Sequence, residues 1–280
     1  MKRIGIATWT LGGDDLDTKL RLLADMGYNA ASVLGNFLEH TSPEDLSAVE
    51  RTLEELDLVL TVHSNFNGPD KTPDEAKTVT QAERILDWHA RTGRIATLTY
   101  DAPKIEVSTG VRRVDVTTIR TILARVLSLT PGSGIRVGME DYPLNTADLE
   151  LLPDWAKTFP HWGILVDLGH MNMRLRKPRH DVQPLAPHAV ENYLSAVPLR
   201  IVELHIHSND GSADQHMPPY AGNADLASAA QRLNDAGFDG ISTIEIVPAW
   251  AKLDPDEVLP AVRKSLEFWN DLMDGSRPRA

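Results

Sequence analysis

No cysteine occurs in the 280 residues, which excludes disulfides, thiolate metal sites and a cysteine nucleophile. No apolar run approaches the roughly 18 residues that a membrane helix needs, so no membrane partner is expected. Met1-Lys2-Arg3 runs directly into the strand-like Ile4-Gly5-Ile6 without a secretory apolar region. No signal peptide is therefore expected, and the cytoplasm is the expected compartment. A basic surplus is missing too: 28 Lys and Arg face 40 Asp and Glu, for a net charge of -12. An acidic surface repels phosphate backbones, so nucleic acid is not an expected partner.

What is present is the pattern of a soluble α/β protein. Short β-branched runs alternate with longer amphipathic stretches, which argues for βα units around a parallel sheet. The strand candidates are Arg3–Thr8, Asn29–Leu34, Leu58–His63, Arg94–Tyr100, Ile135–Glu140, Gly163–Asp167, Arg200–His207 and Gly240–Ile246. The helix candidates are Asp14–Met26, Pro43–Leu56, Pro73–Thr92, Asp115–Leu129, Asn145–Thr158, His188–Ala196, Asn223–Ala236 and Asp254–Met273. Ser42-Pro43 and Thr72-Pro73 read as a capping hydroxyl followed by a first-turn proline. Gly27, Gly93 and Gly237 read as helix exits. Eight strands and eight helices in strict order predict a single (β/α)8 TIM barrel over residues 1–275, with a frayed tail at Ser276–Ala280. A doubly wound open sheet is the competing fold.

The chemistry lies at the strand ends. Strand five ends in Glu140-Asp141, strand six in Asp167-Leu168-Gly169-His170, strand seven in His205-Ile206-His207 and strand eight in Glu245-Ile246. Strand three ends at His63. A carboxylate at the end of an apolar strand is costly to desolvate. One such Glu usually caps or pairs, and one buried His usually hydrogen-bonds. Four consecutive strands ending this way, in a fold that converges strand ends on one mouth, describe a divalent metal site. Oxygen and imidazole ligands suit Mn, Mg, Co or Zn without choosing among them. His205 and His207 face the same way along their strand, and His207, nearer the mouth, is the preferred ligand.

On Glu140, Asp167-x-x-His170, His-x-His at 205–207 and Glu245, the chain resembles the xylose-isomerase-like barrel superfamily. That group holds sugar isomerases and epimerases, and apurinic-site endonucleases of the endonuclease IV type. The resemblance implies one divalent metal on Glu140, Asp167, His207 and Glu245, with Glu140 and Glu245 as acid and base and His170 on the substrate. Where the epimerases carry an Arg six residues after the metal His, this chain has Ala213, which argues against a ketose 3-epimerase specifically. The endonuclease branch is matched by His63, Asp214 and His216, but its His after strand four is missing: the strand ends Thr99-Tyr100-Asp101. A second metal on His170, Asp214 and His216 is the accompanying possibility.

The expected function is thus a metal-dependent sugar isomerase or epimerase acting on a small-molecule sugar, with His63, His170, Asp214, His216 and Trp9 as substrate contacts. The alternatives are phosphodiester hydrolysis of the endonuclease IV type, a related sugar lyase or dehydratase, and a non-catalytic sugar-binding barrel. Trp9, Trp250 and more weakly Phe66 are aromatic candidates for the pocket wall. The segment after strand six, with Arg174, Arg176, Lys177, Arg179 and His180, reads as a long loop: a lid, an anion contact or simply solvated surface.

Overall fold

In the computed structural model the described residues are 2–13, 15–66, 72–101, 105–106, 112–113, 116–141, 157, 159, 162–175, 187–197 and 199–276. Eight strands form the sheet: β1 Arg3–Ala7, β2 Ala30–Leu34, β3 Val59–Ser64, β4 Ile95–Tyr100, β5 Arg136–Glu140, β6 Trp162–Asp167, β7 Ile201–Ile206 and β8 Ile241–Ile244. They follow one another around a closed barrel in which β8 pairs in parallel with β1. This is a single (β/α)8 barrel fold, as the alternation of runs predicts, and the open sheet is excluded. Each strand lies within two residues of its expected bounds. The reason is burial: every residue of β3 and β6 is buried, and strands covered on both faces read as nearly continuous apolar runs.

The helices between strands are α1 Leu16–Met26, α2 Pro43–Glu55, α3 Glu75–Thr92, α4 Val116–Leu129, α5 Leu168–Leu175, α6 Ala189–Ala196, α7 Leu226–Asp235 and α8 Pro255–Met273. One-turn helices occupy Phe37–His40 and Pro248–Ala251. Ser42 caps α2, accepting from the Asp45 amide at 3.1 Å. The cap of α3 is Asp74 rather than Thr72: its carboxylate accepts from the Lys77 amide at 3.0 Å, so the helix begins two residues later than Thr72-Pro73 suggests. Gly27 leaves α1 at φ 96°, a left-handed conformation that glycine adopts without strain. The helix expected at Asn145–Thr158 lies, apart from Lys157, outside the described residues, as do Arg176, Lys177, Arg179 and His180 and the tail from Arg277 onward.

Contacts divide the chain into two compact units. The first comprises Met1–Ala31, Val166–Val197 and Glu203–Ala280; the second comprises Ser32–Leu165 and Pro198–Val202. In the first, β1, β8 and β7 run side by side, with Ile4 opposite Ser242 and Thr243 opposite His205. In the second, β3, β4, β5 and β6 do the same, with His63 opposite Thr99 and Glu140 opposite Leu165. Trp269 anchors the core of the first unit; Trp88, Tyr100 and Phe66 anchor that of the second. Among the described residues no helix is long and apolar enough to cross a membrane.

Candidate functional site

In the first unit, β6 ends at Asp167 and α5 starts at the next residue. Asp167 occupies the N-cap position: Oδ1 accepts from the His170 backbone amide at 2.7 Å, as short polar side chains do at helix starts. This turn corrects the sequence reading at Arg174, which lies in α5 and not in a loop, while the rest of that basic segment lies outside the described residues. Arg174, at its end, donates to the Tyr193 hydroxyl at 2.7 Å and so tethers the helix.

Asp167 is completely buried and surrounded by imidazoles. His207 Nε2 lies 3.0 Å from Oδ1, His170 Nδ1 3.2 Å from Oδ2, and His205 Nδ1 3.9 Å from Oδ2. Burial alone raises a carboxyl pKa, but the three imidazoles outweigh it and hold Asp167 well below the usual range. The close approach of α5 to His207 requires glycine at 169, since a Cβ there would overlap the His207 ring.

The loop after β7 returns two more ligating groups to the same place. Ser208 and Met217 exchange backbone hydrogen bonds of 2.9 and 2.8 Å, closing the loop into a hairpin-like bridge. Inside the bridge, Asn209 donates to the Gly169 carbonyl at 2.8 Å and accepts from Asn172 at 2.8 Å, pinning the loop to α5. Asp214 then spans two histidines, with Oδ2 3.1 Å from His170 Nε2 and Oδ1 3.1 Å from His216 Nε2. Those two imidazoles outweigh burial and lower the Asp214 pKa. His216 adopts φ 42°, a left-handed conformation unusual for a residue with a side chain. It is held there from both sides: its carbonyl accepts from the Val247 amide at 3.2 Å, and Nδ1 lies 3.2 Å from the Glu245 carbonyl.

Glu245 follows the end of β8, its amide bonded to the Ile206 carbonyl at 3.0 Å. Its Oε2 lies 3.0 Å from His205 Nδ1 and 3.7 Å from His216 Nδ1. These imidazoles outweigh burial and keep the carboxylate ionised. The sequence pattern alone prefers His207, nearer the mouth, as the His of the metal set. The structure gives each histidine at this strand end a role: His207 meets Asp167, and His205 meets Glu245. The available signal is the alternation of side chains at the end of β7, which gives His205 and His207, just past the strand, one shared face.

Two groups in this unit have the donor chemistry of a divalent-metal site. The ligand atoms of His170, His207, Asp214 and His216 all lie within 4.8 Å of one another, as do those of Asp167, His205 and Glu245. The residues fit an ion on a second count. His207 Nδ1 is buried and has no hydrogen-bond partner among the described residues, a condition that normally costs stability unless something binds there.

In the second unit, His63 ends up between three polar groups. Nδ1 lies 3.1 Å from the Thr99 hydroxyl, Nε2 3.1 Å from Asp101 Oδ1 and 3.8 Å from Glu140 Oε2. Asp101, just past the end of β4, thus meets His63. Glu140 is the last residue of β5 and is buried.

The aromatic candidates separate. Phe66 is fully buried and stacked on Tyr100 with ring centroids 4.7 Å apart, so it is core and not pocket wall. Trp250 is half exposed, with its ring edge-on to His216 at 5.2 Å. Trp9 lines a cavity of about 740 Å³ together with Leu22, Val247, Pro248 and Leu259. His40 and His188 are exposed.

Comparisons with known proteins agree with this architecture. A xylose isomerase domain protein from Alicyclobacillus acidocaldarius superposes with a TM-score of 0.69 at 20% identity, covering 98% of this chain and 100% of that one. A D-psicose 3-epimerase from Clostridium cellulolyticum gives 0.66 at 15% identity, with 97% and 99% covered. A probable 3-DHS dehydratase from Bacillus anthracis gives 0.66 at 14% identity, with 95% and 98% covered. At these identities the likeness is one of fold. The family model for xylose isomerase-like TIM barrels matches residues 20–272, and the chain, with its parallel eight-stranded barrel and its carboxylates and imidazoles at the strand ends, belongs to that family.

Proposed function

We propose that the protein is a cytoplasmic, divalent-metal-dependent enzyme that moves a proton on a carbon next to the carbonyl of a small sugar or keto-sugar. The observation that carries this reading is Glu245. It is a largely buried, ionised carboxylate, held by His205 and His216 in the same group of residues as the fully buried Asp167. A carboxylate kept charged in such a place is a ligand or a base in waiting. Asp167, His207 and Glu245 would hold the metal, joined by Glu140 from the end of β5, because the strand ends of this fold share one mouth. When bound, the ion supplies Lewis acidity toward a carbonyl and hydroxyl pair. Glu140 and Glu245 are the acid and base, and His63, His170 and Trp9 are substrate contacts. Similarity to a D-psicose 3-epimerase and to a probable 3-DHS dehydratase supports proton transfer beside a carbonyl as the shared step. With Ala213 in place of an Arg, a ketose 3-epimerase is the less favoured member of that class.

The test is elemental analysis of the purified protein, then a panel of aldoses, ketoses and keto-sugars in deuterium oxide with the metal restored. Deuterium entering the carbon beside the carbonyl supports the reading. No exchange and no turnover on any member of the panel argues against it.

One observation favours a second reading, metal-dependent phosphodiester hydrolysis: His170, His207, Asp214 and His216 are assembled tightly enough to hold an ion of their own. Under the first reading, His170, Asp214 and His216 contact substrate instead. Anomalous scattering from crystals soaked in Mn or Zn decides between them, since a strong second peak at that group promotes the hydrolase.

A further inference from the structure

Glu203 and His205 on β7 and Thr243 on β8 are buried polar groups that the proton transfer itself does not use. They form an ordered line. Thr243 Oγ1 donates to Glu203 Oε1 at 2.7 Å, His205 Nε2 lies 3.9 Å from the same oxygen, and His205 Nδ1 lies 3.0 Å from Glu245 Oε2. The line follows from strand geometry. Residues 203 and 205 share one face of β7 by alternation, and the register sets Thr243 beside His205. Within the line only the Nδ1 contact to Glu245 and the threonine contact are of hydrogen-bond length. Asp167 Oδ2, at 3.9 Å from Nδ1, is too distant to take the same proton.

We propose that His205 is the positioning residue for Glu245. Its Nδ1–H holds Oε2 and leaves Oε1 as the oxygen that meets metal or substrate. The inference rests on the reading of Glu245 as ligand and base. Three features make the imidazole suited to the task. The ring is 1% exposed, so its position is fixed by packing and not by one bond. Glu245 directly follows β8 with its amide still bonded to the Ile206 carbonyl, so its backbone is fixed while its side chain is held only by its own contacts. A glutamate with free χ angles spreads over several rotamers, and fixing one oxygen removes most of that freedom before anything binds. A hydrogen-bond partner behind a ligand is typically worth 10- to 100-fold in metal affinity.

The experiment uses the full chain with two substitutions. His205→Leu keeps the volume without the donor, whereas His205→Asn keeps an N–H near the position of Nδ1. Mn²⁺ affinity measured by calorimetry is expected to fall by about 10- to 100-fold in His205→Leu and to recover most of that loss in His205→Asn, with matching circular dichroism. Unchanged affinity in His205→Leu, or an Asn variant as weak as Leu, overturns the proposal; the latter result would make the ring itself a ligand or a packing group. A second arm needs no metal and no variant of His205. Long-range ¹H–¹⁵N spectra of the histidine-labelled protein are expected to show His205 as the Nδ1–H tautomer, with that nitrogen shifting in Glu245→Gln. An Nε2–H tautomer, or no shift, overturns it. If the unsubstituted protein takes up no Mn²⁺, the reading of Glu245 as a metal ligand fails by itself, and the spectra still decide the role of His205.

Discussion

The rings of His207 and His216 lie face to face, with centroids 3.8 Å apart and planes within 7°. Two imidazolium rings would repel at that distance, and the surroundings separate their charges. Burial lowers the His207 pKa, and the charge of His216 lowers it further, against the pull of Asp167. For His216 burial acts in the same direction but is outweighed by Glu245, Asp214 and Asp167, which raise its pKa to about 9. In the metal-free protein a neutral ring therefore stacks on a charged one, and a metal taken up at this pair must displace the His216 proton.

This gives the metal-free protein a defined pH dependence. The His216 pKa is higher folded than unfolded, so its contribution is complete below about 6.5 and is lost as pH rises toward about 9. Asp167, Asp214 and Glu245 have lowered pKa values, so their contribution is present above the ordinary carboxylate range and is lost as pH falls below it. His207, also lowered, adds to the loss on the acid side as pH drops past the ordinary imidazole range. Thermal unfolding of chelator-treated protein should show Tm falling between pH 6.5 and 9. A Tm that climbs through that interval contradicts the assigned charge on His216.

Chelation is expected to abolish turnover while leaving far-ultraviolet circular dichroism nearly unchanged. The barrel has its own packed interior, and its buried tryptophans and aliphatic side chains do not depend on an ion. Activity should return with one of Mn, Mg, Co or Zn. Full activity in metal-free protein would remove the basis of the proposed chemistry.

Glu245→Gln and Glu140→Gln should each lower kcat by about 10²–10⁴-fold, the usual contribution of a positioned acid or base. Gln keeps the shape but neither the charge nor the proton affinity. Metal content must be measured on the same samples, because a lost ligand imitates a lost base. Near-normal turnover in either variant strikes that residue from the catalytic pair.

Gly169→Ala should be more damaging than a single methyl suggests. The new Cβ would overlap the His207 ring, so α5 or the imidazole must move. Overpacking of this kind typically costs about 1–3 kcal/mol, and displacement of His207 should also lower bound metal. Thermal unfolding and elemental analysis read the two effects separately; wild-type values for both would mean that the close approach of α5 to His207 is not there in solution.

Duplex DNA containing an abasic site should not be nicked at low protein concentration. A net charge of -12 withholds the counterion release that drives most backbone binding, and the His that the endonuclease pattern has after strand four is missing from this sequence. Metal-dependent nicking that vanishes in Glu245→Gln would reverse the order of the two functional readings.

Much of this protein is decided by local sequence. Runs buried on both faces fix the eight strands, caps such as Ser42 and exits such as Gly27 fix helix ends, and the strand ends reveal Glu140, Asp167, His207 and Glu245 as chemistry placed where an apolar strand would not carry it. Other features appear only when the chain has folded. Leu168–Leu175 contains Gly169 and Asn172, poor helix formers, and becomes helical because the buried Asp167 caps it and Asn172 bonds to Asn209. The loop holding Asp214 and His216 has no periodicity, and what returns them to His170 and Glu245 is the Ser208–Met217 bridge. His205 on β7 and His207 just past its end are equivalent in sequence, sharing one face by alternation. Their division between Asp167 and Glu245 depends on distances of 3.0 Å set by neighbouring strands, and no local rule reaches that far, because strand register and loop closure are properties of the assembled barrel.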